Sequence, residues 1–371
     1  MDFSIRRFGD FALFRYGKMP KKSDIKDNGK YPIYSGYRYV GYYDDYNIDA
    51  NQLIVVARGV GGTGDVKLTK EKCYLTNLSI SVQMDTNVAL PQYLYYYFSM
   101  RNLRYLDSGS AQSQITISDL EKVEMPLPNI ENQKRIVDCL NILDHKIRTN
   151  EVINNNLEQQ AQAIFSNEFL TLETLPDGWK QASLIDIADY LNGLAMQKYR
   201  PTVDETGIPV LKIKELRQGC CDDNSELCSP NIKSEYIIHD GDVIFSWSGS
   251  LLVDFWCGGI CGLNQHLFKV TSNKFDKWFY YVWTKHHLDR FIAVAADKAT
   301  TMGHIKRDEL SKAAVLIPTE ADYKRIEALL QPIYDLIIAN RIENKKLAET
   351  RDTLLPKLMS GEIDISEVDY E

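Results

Sequence analysis

Two stretches of this chain place their seam residues in alternating steps of four and three. Ile136, Leu140, Leu143, Ile147, Asn150, Asn154, Leu157, Ala161 and Ile164 form the first series. Ile326, Leu330, Ile333, Ile337, Asn340, Asn344, Leu347, Arg351 and Leu354 form the second, each 190 residues further on. That rhythm is the seam of a coiled-coil helix. Asn129 and Thr319 each follow a proline and suit the N-cap, and Thr319 with Asp322 resembles a capping box. Each helix is expected to hold about 37 residues and to span about 55 Å at 1.5 Å per residue.

Both seams are interrupted by asparagines at matching places, which costs stability but fixes register. Two such helices with one globular domain between them pack most simply as an antiparallel pair, bringing Asn150 and Asn154 towards Asn340 and Asn344. The alternative is that each helix packs on its own domain.

Outside the seams the pattern changes to short β-rich runs, Leu53 to Ala57, Leu78 to Val82, Asp242 to Trp247 and Leu267 to Val270, broken by Gly, Asn and Asp turns. These runs repeat as well. Leu53-Ile54-Val55-Val56 matches Val243-Ile244-Phe245-Ser246, Leu127-Pro128 matches Ile317-Pro318, and Lys134-Arg135-Ile136 matches Lys324-Arg325-Ile326, all at a spacing of 190. Between these anchors the spacing drifts: Tyr93 to Phe98 matches Trp278 to Trp283 at 185, and Phe8 to Ala12 matches Leu184 to Ala188. The predicted fold is therefore α+β, with two β-rich domains joined by two long helices packed as an antiparallel coiled coil in a pseudo-two-fold repeat. The expected boundaries are a first domain at 1–128, a central helix at 129–167, a second domain at 168–318, a C-terminal helix at 319–358 and an acidic tail at 359–371. Pro176-Asp177-Gly178, at the junction into the second domain, is a strong turn signal.

Composition adds bounds. At 371 residues the chain has room for two cores, and 44% hydrophobic with 25% charged residues fits a soluble globular protein. No run of eighteen apolar residues occurs, and the start Met1-Asp2-Phe3 has no secretory pattern, so a cytoplasmic protein with no membrane partner is expected. Seven cysteines at irregular spacing suit reduced thiols. A zinc site can be drawn through Cys220, Cys221, Cys228, Cys257 and Cys261, but no Cys-x-x-Cys pair occurs, so no metal is expected. A net charge of −8 argues against a broad basic face that grips nucleic acid alone. Part of that charge is local, because Gly361 to Glu371 holds five acidic residues and no basic one. A partner could also supply phosphate contacts.

Most chemical motifs fail on context. Gly59-Val60-Gly61-Gly62-Thr63-Gly64 has the dinucleotide-binding spacing, but Asp65 to Thr69 alternates like a strand where a helix should begin. No phosphate loop occurs, no two prolines adjoin, and the histidines form no triad or metal pattern. No catalytic residue is assigned. What remains are aromatics and turn-borne polar groups suited to DNA. In the first domain these are Tyr34, Tyr37, Arg38, Tyr39, Tyr42 and Tyr43, then Arg58 after the Leu53 strand, and Gln112, Ser113 and Gln114 before an expected strand at Ile115. Ser246, Trp247, Ser248, Lys298, Thr300, Thr301 and His304 stand at the corresponding places of the second. Amides and arginines can bind base edges bidentately, and serine can donate or accept. The alternative is a half-buried strand edge for the tyrosines and solvated loops for the rest.

The repeated plan, Pro128 to Ile136 with its Gln-Lys-Arg-Ile ending, its partner Pro318 to Ile326, the junction Leu175-Pro176-Asp177-Gly178-Trp179, and the ending Leu355-Pro356-Lys357-Leu358-Met359-Ser360-Gly361-Glu362-Ile363 resemble the specificity subunits of type I restriction-modification systems. The resemblance spans nearly the whole chain. It implies two target-recognition domains reading a bipartite double-stranded DNA target, and a coiled coil that sets the gap and docks two modification subunits. It also implies no catalysis and no cofactor on this chain, S-adenosylmethionine on the modification partners for adenine methylation, and a restriction subunit that can join. Two departures stand out: no Leu-Pro-x-Gly-Trp segment precedes Phe8, and Gln133 stands where the second copy has Tyr323. The competing readings are a coiled-coil scaffold that never reads DNA and a stand-alone methyltransferase.

Overall fold

Strand pairing follows the repeat. The computed structural model describes residues 1–36, 38–59, 62–107, 113–297 and 307–365. These fall into two compact units: residues 1–145 with 349–371, and residues 146–348. Each unit thus combines one β-rich domain with a segment of both long helices.

In the first unit the strands are β1 (Phe3–Arg7), β2 (Ala12–Tyr16), β3 (Tyr31–Ser35), β4 (Arg38–Tyr43), β5 (Leu53–Val56), β6 (Val66–Leu68), β7 (Tyr74–Leu75), β8 (Ser79–Met84) and β9 (Glu124–Pro128). Helices α1 (Pro91–Met100), α2 (Ile117–Glu121) and α3 (Ile130–Phe165) follow. Strands β2, β8, β5 and β6 form an antiparallel sheet in that order. Strands β4, β3 and β7 form a second sheet, in which β3 and β7 run parallel. The four-residue apolar run of β5 is buried throughout, as a central strand requires. Tyr93, Leu94, Tyr97 and Phe98 of α1 close the core over it.

The second unit repeats this plan with β10 (Lys180–Ser183), β11 (Asp189–Asn192), β12 (Ile208–Leu211), β13 (Leu227–Cys228), β14 (Ile237–Ile238), β15 (Val243–Ser246), β16 (Leu252–Phe255), β17 (Cys261–Leu263), β18 (Leu267–Thr271) and β19 (Ala314–Ile317). Its helices are α4 (Leu184–Ile187), α5 (Ile213–Gln218), α6 (Lys277–His286), α7 (Leu288–Asp297), α8 (Arg307–Ser311) and α9 (Glu320–Ser360). The sheet order β11-β18-β15-β16 is that of β2-β8-β5-β6, and the parallel pair β12 and β17 corresponds to β3 and β7. The copies diverge after that pair. A hairpin strand, β4, follows β3, whereas α5 follows β12 and ends at Gly219, whose φ of +78° favours glycine.

One expected strand is absent. Gln114 makes only an isolated bridge with Arg58, and Ile115 leads straight into α2. Thr116 and Asp119 form a reciprocal capping box there, so the local chain is committed to a helix start.

The seams pack as the periodicity predicts. Helix α3 has 36 residues and α9 has 41. In the second unit Asn340 Nδ2 donates to Asn154 Oδ1 at 2.8 Å, and Asn150 Nδ2 donates to Asn344 Oδ1 at 2.8 Å. Asn154 and Asn344 also donate across the pair to the carbonyls of Ile337 and Ile147, both at 3.3 Å. Partners rise on one helix as they fall on the other, so the pair is antiparallel. The helices pack on the domain as well, since Ala161, Phe165, Ile326, Leu330 and Ile337 belong to its core. In the first unit Arg351, the one charged seam residue, binds Asp144 at 2.8 Å, and Tyr96 donates to the same carboxylate at 2.6 Å.

Both departures in the sequence have structural counterparts. Fully buried Gln133 accepts from the amide of Leu90, the N-cap of α1, at 3.0 Å. Tyr323 accepts from the amide of Asp276, the N-cap of α6, also at 3.0 Å. Different side chains thus tie each long helix to the same point of its domain. Trp179 donates to Asp322 at 2.9 Å, which with Thr319 holds that carboxyl below its ordinary range. In the first unit Asp364 pairs with the Met1 amino group at 2.6 Å, and Leu355, Leu358, Met359 and Ile365 are buried in the core.

The Asn154–Asn340 bond generates a stability prediction. Asn340→Ala leaves the buried Asn154 carbonyl oxygen without its donor and should cost roughly 1–3 kcal/mol. The double variant Asn154→Leu with Asn340→Leu should cost less than the two single substitutions together, as read by urea denaturation. Additive losses would mean the two amides are not coupled.

Candidate nucleic-acid interface

In both four-stranded sheets the register brings three chain segments to one end. Tyr16 pairs with Ile80 and Val56 with Ser79 in the first unit, and Asn192 pairs with Phe268 and Ser246 with Leu267 in the second. The loops that leave β2 and β5, and the loop that enters β8, therefore meet. The same holds for β11, β15 and β18.

In the first unit the tip of the β3–β4 hairpin joins this end. Thr76 donates to Ser35 at 3.1 Å, and Ser79 donates to the Gly36 carbonyl at 3.4 Å. Gly36 has φ +61°, and a Cβ there would sit 3.2 Å from the Arg58 carbonyl. The hairpin tip thus lies against the Arg58 segment, whose bridge to Gln114 adds a third predicted residue. Arg38 and Arg58 are exposed, and Gln114 is half-buried. Asp107 accepts from the Gln114 amide at 2.8 Å and from the Ser113 hydroxyl. Ser113 thereby spends its hydroxyl proton on Asp107. Tyr39 is exposed beyond the tip; desolvation and its hydrogen bond with Tyr42 push its phenol up to about 12.

Two exposed residues at this end escaped the sequence reading: Lys18, whose amide donates to the Leu75 carbonyl at 3.0 Å, and Asn77. Neither belongs to a motif. Only strand register places them here.

The second unit corrects part of the prediction. Ser246 is fully buried, and its hydroxyl donates to the carbonyls of Ser250 at 2.8 Å and Ser248 at 3.3 Å, so it closes a turn and presents nothing to a ligand. Ser248 is also buried, its hydroxyl 3.2 Å from His266 Nδ1. Trp247 stacks on Phe268 with centroids 5.4 Å apart and donates to Asn192 at 3.0 Å, forming a half-buried wall. Asn192 and His266 thus enter the site by contact with the predicted Trp247 and Ser248, and Gln265 enters it through His266. Tyr37, Gln112, Lys298, Thr300, Thr301 and His304 lie outside the described residues.

The glycine-rich loop is not a nucleotide cradle. Strand β6 follows it where a helix would be needed, and a Cβ on Gly64 would sit 2.4 Å from the Arg104 amide nitrogen, so Gly64 serves close packing. All seven cysteines are free thiols, and among the described residues no three His, Cys, Asp or Glu side chains gather as a metal-binding group.

The model of the type I restriction modification DNA specificity domain matches residues 1–159 and again 176–349. The chain belongs to that family. Among its relatives, the MjaIX specificity subunit of Methanocaldococcus jannaschii is 26% identical over 306 residues, covering 75% of this chain and 70% of that protein. The HindI specificity subunit of Haemophilus influenzae is 20% identical, covering 76% of this chain and 79% of that one. The crystal structure of a type I S subunit from M. genitalium shares the fold with a TM-score of 0.66 at 17% identity, covering 96% of both chains.

As a type I specificity subunit the chain is a non-catalytic DNA-recognition component. That sets aside both the scaffold and the stand-alone methyltransferase. The two family matches fall on the two copies of the sheet, and the residues at the shared sheet end differ between copies while the strand order does not.

A division of labour follows for the serines. Ser246→Ala should lower stability by about 1 kcal/mol through the lost hydroxyl bonds, yet leave the recognised sequence unchanged. Urea midpoints and methylation mapping read the two effects separately. An altered target sequence would put Ser246 back among the reading residues.

Proposed function

We propose that the chain reads a bipartite double-stranded DNA target, with the sheet end of each unit on one half, and that the paired helices set the gap. The carrying observation is one strand register with different side chains at its open end: Arg38, Arg58 and Gln114 in one copy, Asn192, Gln265 and His266 in the other. Arginine suits guanine and amides suit adenine in the major groove. The predicted contacts outside the described residues remain part of this proposal.

Two modification subunits dock on the helix pair in this reading. Ile142, Val152, Leu329 and Leu336 support it, since each is 44–60% exposed on a long helix. The modification subunits bind S-adenosylmethionine and methylate adenine, while this chain holds no cofactor. A restriction subunit can join the assembly. Among the described residues no helix is long and apolar enough to cross a membrane, and we place the assembly in the cytoplasm with the DNA.

The test is to map methylated adenines in cells carrying the modification subunit, with and without this chain. A bipartite motif that depends on the chain is expected. Its absence beside a competent modification subunit would overturn the reading. The gap has its own test. Seven residues inserted at matching points of both helices should lengthen the gap by about three base pairs, at 1.5 Å per helical residue and 3.4 Å per base step. An active complex with an unchanged gap would exclude the helices as the spacer.

A further inference from the structure

We infer that Gln265 and Asn77 are equivalent base-reading amides, one for each half of the target. Val56 pairs with Ser79 where Ser246 pairs with Leu267, so Asn77 and Gln265 each stand two residues before the strand residue that faces the end of the central strand. One structural position in two otherwise divergent loops therefore carries a carboxamide in both copies. A carboxamide has a donor and an acceptor side by side, the pattern that matches the major-groove edge of adenine.

The surroundings differ in how they aim the amide. Asn77 is exposed on a short side chain, between the buried Thr76 and the half-buried Leu78. Gln265 is longer and is oriented by its neighbour: its Nε2 lies 3.4 Å from His266 Nε2, while Ser248 Oγ lies 3.2 Å from Nδ1 of the same ring. An amide nitrogen only donates, so this contact leaves the ring proton on Nδ1, facing the serine oxygen. His266 is itself fixed, its amide donating to Asn264 Oδ1 at 3.2 Å and its ring lying against Trp247. Ser248, His266 and Gln265 form a chain that starts on a buried hydroxyl and ends on a half-buried amide. His266 is thus a positioning residue for Gln265.

This assignment rests on the proposed reading of a bipartite target. It is tested by mapping methylated bases in cells that carry the modification subunit with the wild-type chain, Asn77→Ala, Gln265→Ala, Gln265→Glu or His266→Ala. Gln265→Ala should relax discrimination about tenfold or more at one base of one half-site, and His266→Ala should relax the same base. Asn77→Ala should relax one base of the other half-site only. Gln265→Glu, which cannot donate, should keep the motif but shift the preferred base at that position towards cytosine. Should Gln265→Ala fail to fold, the near-isosteric glutamate variant still decides. An unchanged wild-type motif in the Asn77 and Gln265 variants, or both acting on one half-site, overturns the assignment alone. Absence of any motif with the wild-type chain overturns the bipartite reading and the assignment together.

Discussion

The interaction on which the arrangement depends is the pair of asparagine contacts buried between the long helices. A purely apolar seam of Ile, Leu and Ala can slide by a heptad with little penalty, because each knob finds a similar hole. Asn154 and Asn340 cannot slide. Each is more than nine-tenths buried, and a shift would strand an amide away from water without its partner. The same logic covers Arg351, a charged residue in an apolar seam, which is acceptable because Asp144 pairs with it while Tyr96 donates to the same carboxylate. Register in each unit is thus set by polar groups with one good arrangement.

With register fixed, each domain has to be held on its helix segments, and the two copies do this with unlike residues. Gln133 reaches back to the N-cap of α1, and Tyr323 reaches the N-cap of α6. In the second unit Arg341 of α9 also bonds Asp254 on β16 at 2.7 Å and Glu158 on α3 at 2.9 Å, joining both helices to the sheet. A comparison of side chains alone would miss that these contacts serve the same end. Function at this level belongs to the position in the fold, and the chemistry that fills it is free to differ.

That freedom explains what the sequence disclosed and what it hid. Helix periodicity, N-caps and the repeat were legible because they depend on local spacing, and Asn129, Thr319 and the seam asparagines all act as read. Central strands such as Leu53–Val56 were legible because a buried strand needs an unbroken apolar run. The sheet end was only partly legible. Arg38, Arg58 and Gln114 come together, but Ser246 and Ser248, polar and next to a strand, proved to be buried supports. Lys18, Asn77, Gln265 and His266 were hidden because nothing local marks them, and their place follows only from how β2, β5 and β8, or β11, β15 and β18, align. The expected strand at Ile115 failed for the opposite reason, since a strong local signal, the Thr116–Asp119 capping box, overrode its apolar residue.

The net charge of −8 remains to be reconciled with a DNA-recognition chain. Affinity for DNA comes largely from neutralised phosphates, whereas sequence is read by a few contacts to base edges. These two requirements need not fall on one polypeptide. A subunit that carries only the reading groups gains discrimination from being acidic, because weak non-specific attraction leaves the base contacts to decide where it stays. The sheet ends fit that division. Their exposed polar groups include two arginines and two amides, each suited to a base edge. On the reading proposed above, partner subunits would provide the phosphate grip, and the salt dependence of DNA binding by the complex would then report on those partners more than on this chain.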